Sequence, residues 1–177
     1  MKRCRYWDFD ANADLLNSST ADLDAQYRDT LDEMIRCFLK PRQSDRIAVS
    51  LSGGIDSSLV TAYLQKNSIK KIKTFNISYD NLNYDESIYA KKISNILGTD
   101  HETFNLSDEN IIEELLKIPN IYDEPFSDSS QIPTNVVSSI AKKKVKVCLS
   151  GDGGDEIFGG YNRYVKLKTI SNFYKIP

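Results

Sequence analysis

The sequence is poor in the residues that stabilise small secreted proteins and zinc-binding modules. Its 177 residues include three cysteines and a single histidine. The cysteines, Cys4, Cys37 and Cys148, are widely spaced and form no Cys-x-x-Cys pair. This spacing argues against a disulfide framework and against a structural zinc site. A reducing compartment is therefore expected, and we take the cytoplasm as the expected location.

Long hydrophobic runs and a charge excess are missing too. No apolar run reaches the roughly 18–20 residues that cross a bilayer, and no signal-like apolar segment follows Met1–Arg5. The formal net charge of −2 leaves no electrostatic reason to bind nucleic acid or anionic lipid. With 40% hydrophobic and 27% charged residues, the composition is that of an ordinary globular protein. We therefore expect neither a membrane nor a nucleic-acid partner.

Strand-like apolar runs alternate with helix-like segments along the chain. This alternation predicts an α/β fold with a parallel sheet covered by helices on both faces. Ligands of such sheets bind beyond the carboxyl ends of the strands, where the strand order reverses. Residues 1–19 are polar and are interpreted as a lead-in or linker to the domain at 20–177. The expected strands are 46–51, 71–77, 101–105 and 145–149, and the expected helices are 21–39, 59–65, 85–97, 108–117 and 134–141.

A glycine loop, Leu51–Ser58, joins the first expected strand to a helix and has the composition of an anion site. Gly53 and Gly54 are expected to adopt positive φ and to approach a ligand closely, beside the free N–H groups of the helix start. No lysine occurs between Lys40 and Lys66, which excludes a Walker A loop. Asp56 would repel a phosphate unless a cation lay between them, so it is predicted to bind Mg²⁺. A simple helix-capping turn is the alternative, and the acid within the loop speaks against it.

A second loop repeats this pattern about a hundred positions later. Val145–Glu156 again reads as an apolar strand, Leu-Ser-Gly, an acid among glycines, and a helix. If the two strands are parallel neighbours, both loops open on the same edge and hold one ligand. We expect Asp155 to share Mg²⁺ with Asp56. A turn with solvated acids is the alternative.

Together these segments resemble the asparagine synthetases. The pattern S-G-G-x-D-S is similar to the pyrophosphate (PP) loop of ATP pyrophosphatases, and Leu149–Tyr164 resembles the family signature. The segments Tyr122–Pro133, Tyr84–Glu86 and Gly98–Glu102 fit the same family. The resemblance implies an adenine nucleotide α-hydrolase-like fold with ATP and Mg²⁺ as cofactors. It also implies a carbon–nitrogen ligase: the side-chain carboxylate of aspartate is adenylated to β-aspartyl-AMP with release of pyrophosphate, and ammonia then gives asparagine.

The resemblance also assigns roles to residues of both loops. Asp152 occupies the position of a family acid, often glutamate, that is needed to form the intermediate and for amine attack. Asp56 and Asp155 would hold the metal. The adenosine part of ATP would be held mostly through backbone by Leu51, Ile77, Ser150 and Gly151. The pyrophosphate part would be held by Ser52, Gly53, Gly54, Asp56, Ser57 and Ser58.

Two departures from the family shape the expected partners. Glutamine-using members carry a cysteine directly after the initiator Met, whereas Lys2 follows Met1 here, and Arg5–Asp8 resembles the junction into the synthetase domain. No glutaminase site is therefore expected, and ammonia would come from glutamine only through a separate domain or chain. Relatives also continue well past Tyr161, so the domain is interpreted as incomplete at its C-terminus, with a homodimer or a complementing chain left open.

Two other functions remain open from the sequence. One is an amidotransferase-type enzyme that adenylates another carboxylate, and the other is a nucleotide-binding fragment without full activity or one half of a split enzyme. His101 is interpreted as structural rather than as a general base. Tyr122 and Phe126 are interpreted as packing residues rather than as base-stacking ones.

Overall fold

The computed structural model describes residues 19–39, 46–80, 85–124 and 127–173. The lead-in at 1–18, including Cys4, and the family-like residues Tyr84 and Phe126 lie outside the described residues. The predicted alternation of helices and strands is confirmed. The elements are α1 (Thr20–Leu39), β1 (Ile47–Ser50), α2 (Ile55–Lys66), β2 (Lys73–Tyr79), α3 (Ser87–Leu97), β3 (Asp100–Leu106), α4 (Asp108–Lys117), a short 3₁₀ turn (Ile118–Asn120), α5 (Gln131–Lys144), β4 (Val147–Leu149), α6 (Gly154–Phe158) and α7 (Asn162–Phe173).

The four strands form one parallel sheet in the order β3-β2-β1-β4. Val49 of β1 pairs with Thr74 of β2 on one side and with Leu149 of β4 on the other. The chain thus adds β2 and β3 outward from β1, and then returns to place β4 on the opposite side. The strand order reverses between β1 and β4, which is where sheets of this type bind ligands.

Each face of the sheet carries its own hydrophobic core. On one face Ala48, Phe75 and Ile77 pack with Val137 and Ala141 of α5. On the other face Ile47 and Val49 pack with Leu64 of α2, and α1 contributes Ile35 and Phe38. Because strands buried on both faces must be apolar throughout, β1 reads as a continuous run rather than an alternating one. The prediction of helices on both faces is confirmed.

Helix α1 contacts the end of α2 through a cluster of charged and polar side chains around Asp32. The Asp32 carboxylate accepts hydrogen bonds from Lys66 Nζ (2.9 Å) and Asn67 Nδ2 (3.0 Å), and Arg36 lies 2.8 Å from the same carboxylate. These contacts hold the apolar stripe of α1 against α2, as its helical spacing predicts. No helix within the described ranges combines the length and apolarity needed to span a membrane.

Helix α5 starts earlier than the sequence pattern predicts. We expected it to begin at Thr134, because Pro133 marks a boundary, but it begins at Gln131. Pro133 is the third residue of the helix, where the backbone N–H has no partner within the helix, so its missing N–H costs little. By contrast, Gly98 closes α3 as predicted, with φ at +71° and its N–H donating to Ser94 O (2.8 Å).

Candidate active site between two glycine loops

The two glycine loops meet at the same edge of the sheet, as the sequence predicts. They follow the neighbouring strands β1 and β4. A Cβ atom added to Gly151 would lie 2.7 Å from the backbone nitrogen of Ser57, and one added to Gly154 would lie 2.4 Å from Asp56 Cγ. A side chain at Gly151 would collide with the backbone of the first loop, and one at Gly154 would fit only if the Asp56 carboxylate moved away, so the two loops are in direct contact.

The first loop depends on a single positive-φ glycine. Gly53 has φ of +90°, and a Cβ there would lie 2.7 Å from Ala90 N at the start of α3. Gly54 instead has φ of −69° and ψ of 167° and caps α2 from an extended conformation. The expectation of positive φ at Gly54 is wrong, because the helix cap needs extended backbone there. Gly53 alone makes the turn.

Hydroxyl groups and free N–H groups line the floor of this loop. The Ser52 and Ser57 Oγ atoms are 3.0 Å apart, and Gly54 N–H donates to Ser52 Oγ (3.2 Å). Helical hydrogen bonding in α2 begins with Ser58 N–H, which donates to Gly54 O (3.1 Å). The three preceding residues therefore offer N–H groups beyond the helix end, where positive potential accumulates. The hydroxyl of Ser58 is buried without a hydrogen-bond partner and does not border the cleft.

The positive-φ glycine of the second loop, unlike Gly53 of the first, has no close packing contact. Gly153 has φ of +91°, and a Cβ there would meet nothing within 4 Å. Ser150 Oγ donates to Asp152 Oδ2 (3.0 Å), which fixes the Asp152 carboxylate over the loop. The following helix, α6, has five residues and buries none of them. The position of α6 therefore depends on the contact between the two loops and on the packing of the Phe158 ring against Tyr27.

A cleft of about 720 Å³ opens where the loops meet, and a second cavity of about 410 Å³ adjoins it. Ile77 borders the second cavity, whereas Leu51 is fully buried and Gly53 packs against α3. Both cavities share Ser150 and Asp152. Predicted site residues that line the larger cleft are Ser52, Gly54, Asp56, Ser57, Ser150, Gly151, Asp152 and Asp155.

The asparagine synthase family model matches residues 26–177. The chain belongs to this family. It is 37% identical over 140 residues to a candidate glutamine-hydrolysing asparagine synthetase of Methanocaldococcus jannaschii, covering 78% of this chain and 27% of that protein. It is 33% identical over 169 residues to asparagine synthetase 1 of Bacillus subtilis, also glutamine-hydrolysing, covering 96% of this chain and 26% of that protein. The chain thus spans about a quarter of the length of these relatives.

Solved structures of related fold agree with the architecture. The NMN synthetase of Francisella tularensis superposes with a TM-score of 0.56 at 14% identity, covering 79% of this chain and 59% of that one. An NH₃-dependent NAD synthetase of Campylobacter jejuni gives 0.54 at 16% identity, covering 76% and 58%. At these identities the likeness concerns the fold. It confirms the predicted adenine nucleotide α-hydrolase-like class.

A third, polar cavity of about 490 Å³ lies beside the cleft. Asp128, Asp152, Asp155 and Glu156 all border it. Tyr161 Oη donates to Glu156 Oε1 (2.7 Å), and this hydrogen bond raises the pKa of Tyr161 to about 12 and lowers that of Glu156. The cavity is acidic, so it suits a ligand that carries an ammonium group.

The carboxylates of the cleft fit a magnesium ion that is shared with phosphate oxygens. Asp56 and Asp155 border the same cleft; Gly154 lies against the Asp56 carboxylate, and Gly160, which follows α6, lies against that of Asp155. Across the part of the chain that the structure describes, no group of three or more His, Cys, Asp or Glu residues could hold a metal by itself. This donor set matches Mg²⁺, which binds through one or two carboxylates and completes its shell with substrate phosphates and water.

Reasoning from sequence did not assign several residues of the cleft to the site, among them Tyr27, Phe158 and Glu86. The rings of Tyr27 in α1 and Phe158 in α6 meet edge to face with centroids 5.5 Å apart and form one wall. Burial, and after it the charges of Tyr63 and Asp56, raises the pKa of Tyr27. Glu86 at the start of α3 borders both the cleft and its neighbour. Tyr27 lies in the apolar stripe of α1, so its spacing indicated core packing and nothing more.

Proposed function

We propose that this protein binds ATP between the two loops and uses it to make an amide. In the proposed reaction the side-chain carboxylate of aspartate is adenylated, pyrophosphate leaves, and ammonia converts the intermediate into asparagine. The observation that carries this proposal is the close approach of Gly151 to the Ser57 backbone and of Gly154 to the Asp56 carboxylate. That contact unites an anion-binding helix start with the carboxylates of the second loop in one cleft.

The first loop would hold the β- and γ-phosphates of ATP. The N–H groups at the start of α2 and the hydroxyls of Ser52 and Ser57 are donors fixed before the ligand arrives. Since charge builds up on the departing pyrophosphate, such donors stabilise the transition state more than the ground state, and each is worth about 2.7–4 kcal/mol. Adenosine would occupy the adjoining cavity, with Ile77 at its wall and Ser150 and Gly151 between the cavities.

Asp56 and Asp155 would hold Mg²⁺ against the phosphates. The ion would supply charge neutralisation at the phosphate oxygens of ATP. Asp56 lies in the first turn of α2. Its backbone N–H would donate to a phosphate oxygen, and its carboxylate would bind the Mg²⁺ that neutralises the same phosphate. This arrangement explains why an acid is present in a phosphate cradle.

The acceptor would lie in the polar cavity bordered by Asp152. A carboxylate oxygen of aspartate attacks the α-phosphorus, and the bond from that phosphorus to the bridging oxygen breaks, which releases pyrophosphate. The ammonia nitrogen then attacks the acyl carbon and AMP departs, while the nitrogen loses a proton. Asp152, held by Ser150 Oγ, is proposed to orient the incoming amine and to take that proton.

Binding and exchange measurements test this proposal in sequence. We expect the chain to bind ATP with Mg²⁺ in calorimetry, and to exchange labelled pyrophosphate into ATP when aspartate is present. Asp56→Asn should abolish the Mg²⁺-dependent part of binding. Asp29→Asn, an equal charge change on the exposed face of α1, should leave it unchanged.

Each alternative outcome has a distinct meaning. No ATP binding by the wild-type chain, or full Mg²⁺-dependent binding by Asp56→Asn, would refute the proposed site. Exchange driven by another carboxylic acid and not by aspartate would point to an amidotransferase-type acceptor. ATP binding without exchange would leave nucleotide binding as the activity of this chain.

A further inference from the structure

A buried asparagine on β2 contacts the residue from which the first loop departs. Asn76 lies between Phe75 and Ile77 in β2 and is 6% exposed. Its Nδ2 donates to the backbone carbonyl of Leu51 (2.9 Å). The N–H of Leu51 donates to Phe75 O (2.8 Å), so both backbone groups of Leu51 are tied to β2. Ser52, the first residue of the loop, follows directly.

The orientation of this amide is fixed by its partner. A backbone carbonyl can only accept, so the NH₂ end of Asn76 must point to Leu51 O. The other end, Asn76 Oδ1, is buried and has no hydrogen-bond partner. A buried unpaired acceptor is unfavourable, and most buried polar groups are paired. Asn76 also borders the second cavity, but the hydrogen bond that its side chain makes to the protein is the one from its donor end to Leu51.

We infer that Asn76 is a positioning residue that sets the direction in which the pyrophosphate loop leaves the sheet. Leu51 lies one residue past the end of β1, where the regular strand pairing has stopped. A side chain from the neighbouring strand replaces the missing ladder contact and holds the carbonyl plane of Leu51. That plane fixes the Ser52 backbone and hence the hydroxyl that contacts Ser57 and the Gly54 N–H. The inference rests on the proposed function, because it assigns Asn76 to phosphate binding.

Asn76→Leu separates positioning from general stability. Leucine has a similar size, removes the unpaired Oδ1, and leaves Leu51 O unpaired instead. One buried unpaired oxygen replaces another, so the thermal unfolding midpoint should change little. We expect the Kd for ATP with Mg²⁺ to rise about tenfold, which is the worth of one hydrogen bond of about 1.4 kcal/mol.

Thr74→Val is the matched control. Thr74 is fully buried on the same face of β2, two residues earlier, and its hydroxyl contacts His101 Nδ1 (2.9 Å) and Thr99 Oγ1 (3.1 Å). The Thr74→Val variant therefore loses buried hydrogen bonds at a position whose side chain does not contact the first loop. Its ATP affinity should stay within about twofold of wild type.

A second readout does not depend on ATP. In ¹H–¹⁵N spectra of the free protein, Asn76→Leu should shift the amide signals of residues 52–54, and Thr74→Val should leave them in place. Unchanged loop signals in Asn76→Leu, or equal loss of affinity in both variants, would overturn the inference. Shifted loop signals with no ATP binding by the wild type would instead refute the proposed function while keeping the structural role of Asn76.

Discussion

The two glycine loops share a sequence pattern but are built into the fold to different depths. The first follows β1, whose Ile47, Ala48 and Val49 are fully buried, and Gly53 packs against the backbone of α3. The second follows β4, a three-residue strand at the edge of the sheet, and Gly153 has open space around it. The difference teaches that similar motifs need not have similar roles in folding. The first loop is anchored by its buried residues Leu51 and Ser57, and the second is positioned by contact with it.

The largest expected effect is a difference between two glycines of nearly equal φ. Gly53→Ala combines a positive φ with a Cβ 2.7 Å from Ala90 N, so it should lower the free energy of unfolding by about 2–5 kcal/mol. Gly153→Ala meets only the conformational term and should cost about 1–2 kcal/mol. Denaturant titration measures both. Equal losses would show that the loops are embedded alike.

A contact between the loops should affect binding more than stability. Gly154→Ala would place a methyl group 2.4 Å from Asp56 Cγ, and the Asp56 side chain must rotate away. Gly154 does not have positive φ, so the cost in unfolding free energy should be under about 1.5 kcal/mol. Under the proposed function, the affinity for ATP with Mg²⁺ should fall about tenfold or more. Gly153→Ala is the control, because it perturbs the same loop without touching Asp56.

The aromatic wall gives a smaller effect that is confined to the second loop. Phe158→Ala removes the edge-to-face contact with Tyr27, and such pairs are worth about 0.5–1.5 kcal/mol. Since α6 buries none of its residues, we expect faster amide hydrogen exchange in residues 150–158 and no change in residues 52–58. Equally fast exchange in both loops would contradict the idea that the first is held independently.

The smallest expected effect is the pH-dependent contribution to stability of the Asp32 contacts that join α1 to the end of α2. The hydrogen bonds from Asn67 and Lys66 hold the pKa of the Asp32 carboxyl below its usual range. A carboxyl whose pKa is lower in the folded than in the unfolded protein stabilises the folded state at pH values above its unfolded pKa of about 3.9. This stabilisation is lost as the pH falls through the pKa of the folded state.

Asp32→Asn should therefore be less stable than wild type at neutral pH and approach it below about pH 4. Unfolding midpoints measured from pH 7 to 3 test this convergence. Asp29→Asn on the same helix should track the wild type throughout. A constant gap between Asp32→Asn and wild type at every pH would exclude the ionic contribution.

The sequence predicted most of the fold because its strands are short apolar runs between strongly patterned helices. It also predicted that the loops after β1 and β4 would meet, since parallel strands bring their carboxyl ends to one edge. The roles assigned to Asp56, Asp152 and Asp155 stay predictions until binding is measured. What the sequence could not yield were contacts set by the third dimension, such as Tyr27 on Phe158, or the conformation of Gly54, which helix capping decides. Asn76 carried no distinct signal either, because Thr74, Asn76 and Ser78 alternate with Phe75 and Ile77 as polar and apolar residues do in an ordinary strand.

The reversal of strand order at β1 has a consequence for when the cleft forms during synthesis. Gly53 and Gly153 are 100 positions apart, so a growing chain carries its first loop long before its second. The cleft closes only when the last strand docks beside the first, which is a contact between distant parts of the chain and slow to form. A ligand that needs both loops will therefore ignore every earlier intermediate. Its binding reports that β4 has docked beside β1, and it stabilises only states in which both loops are in place.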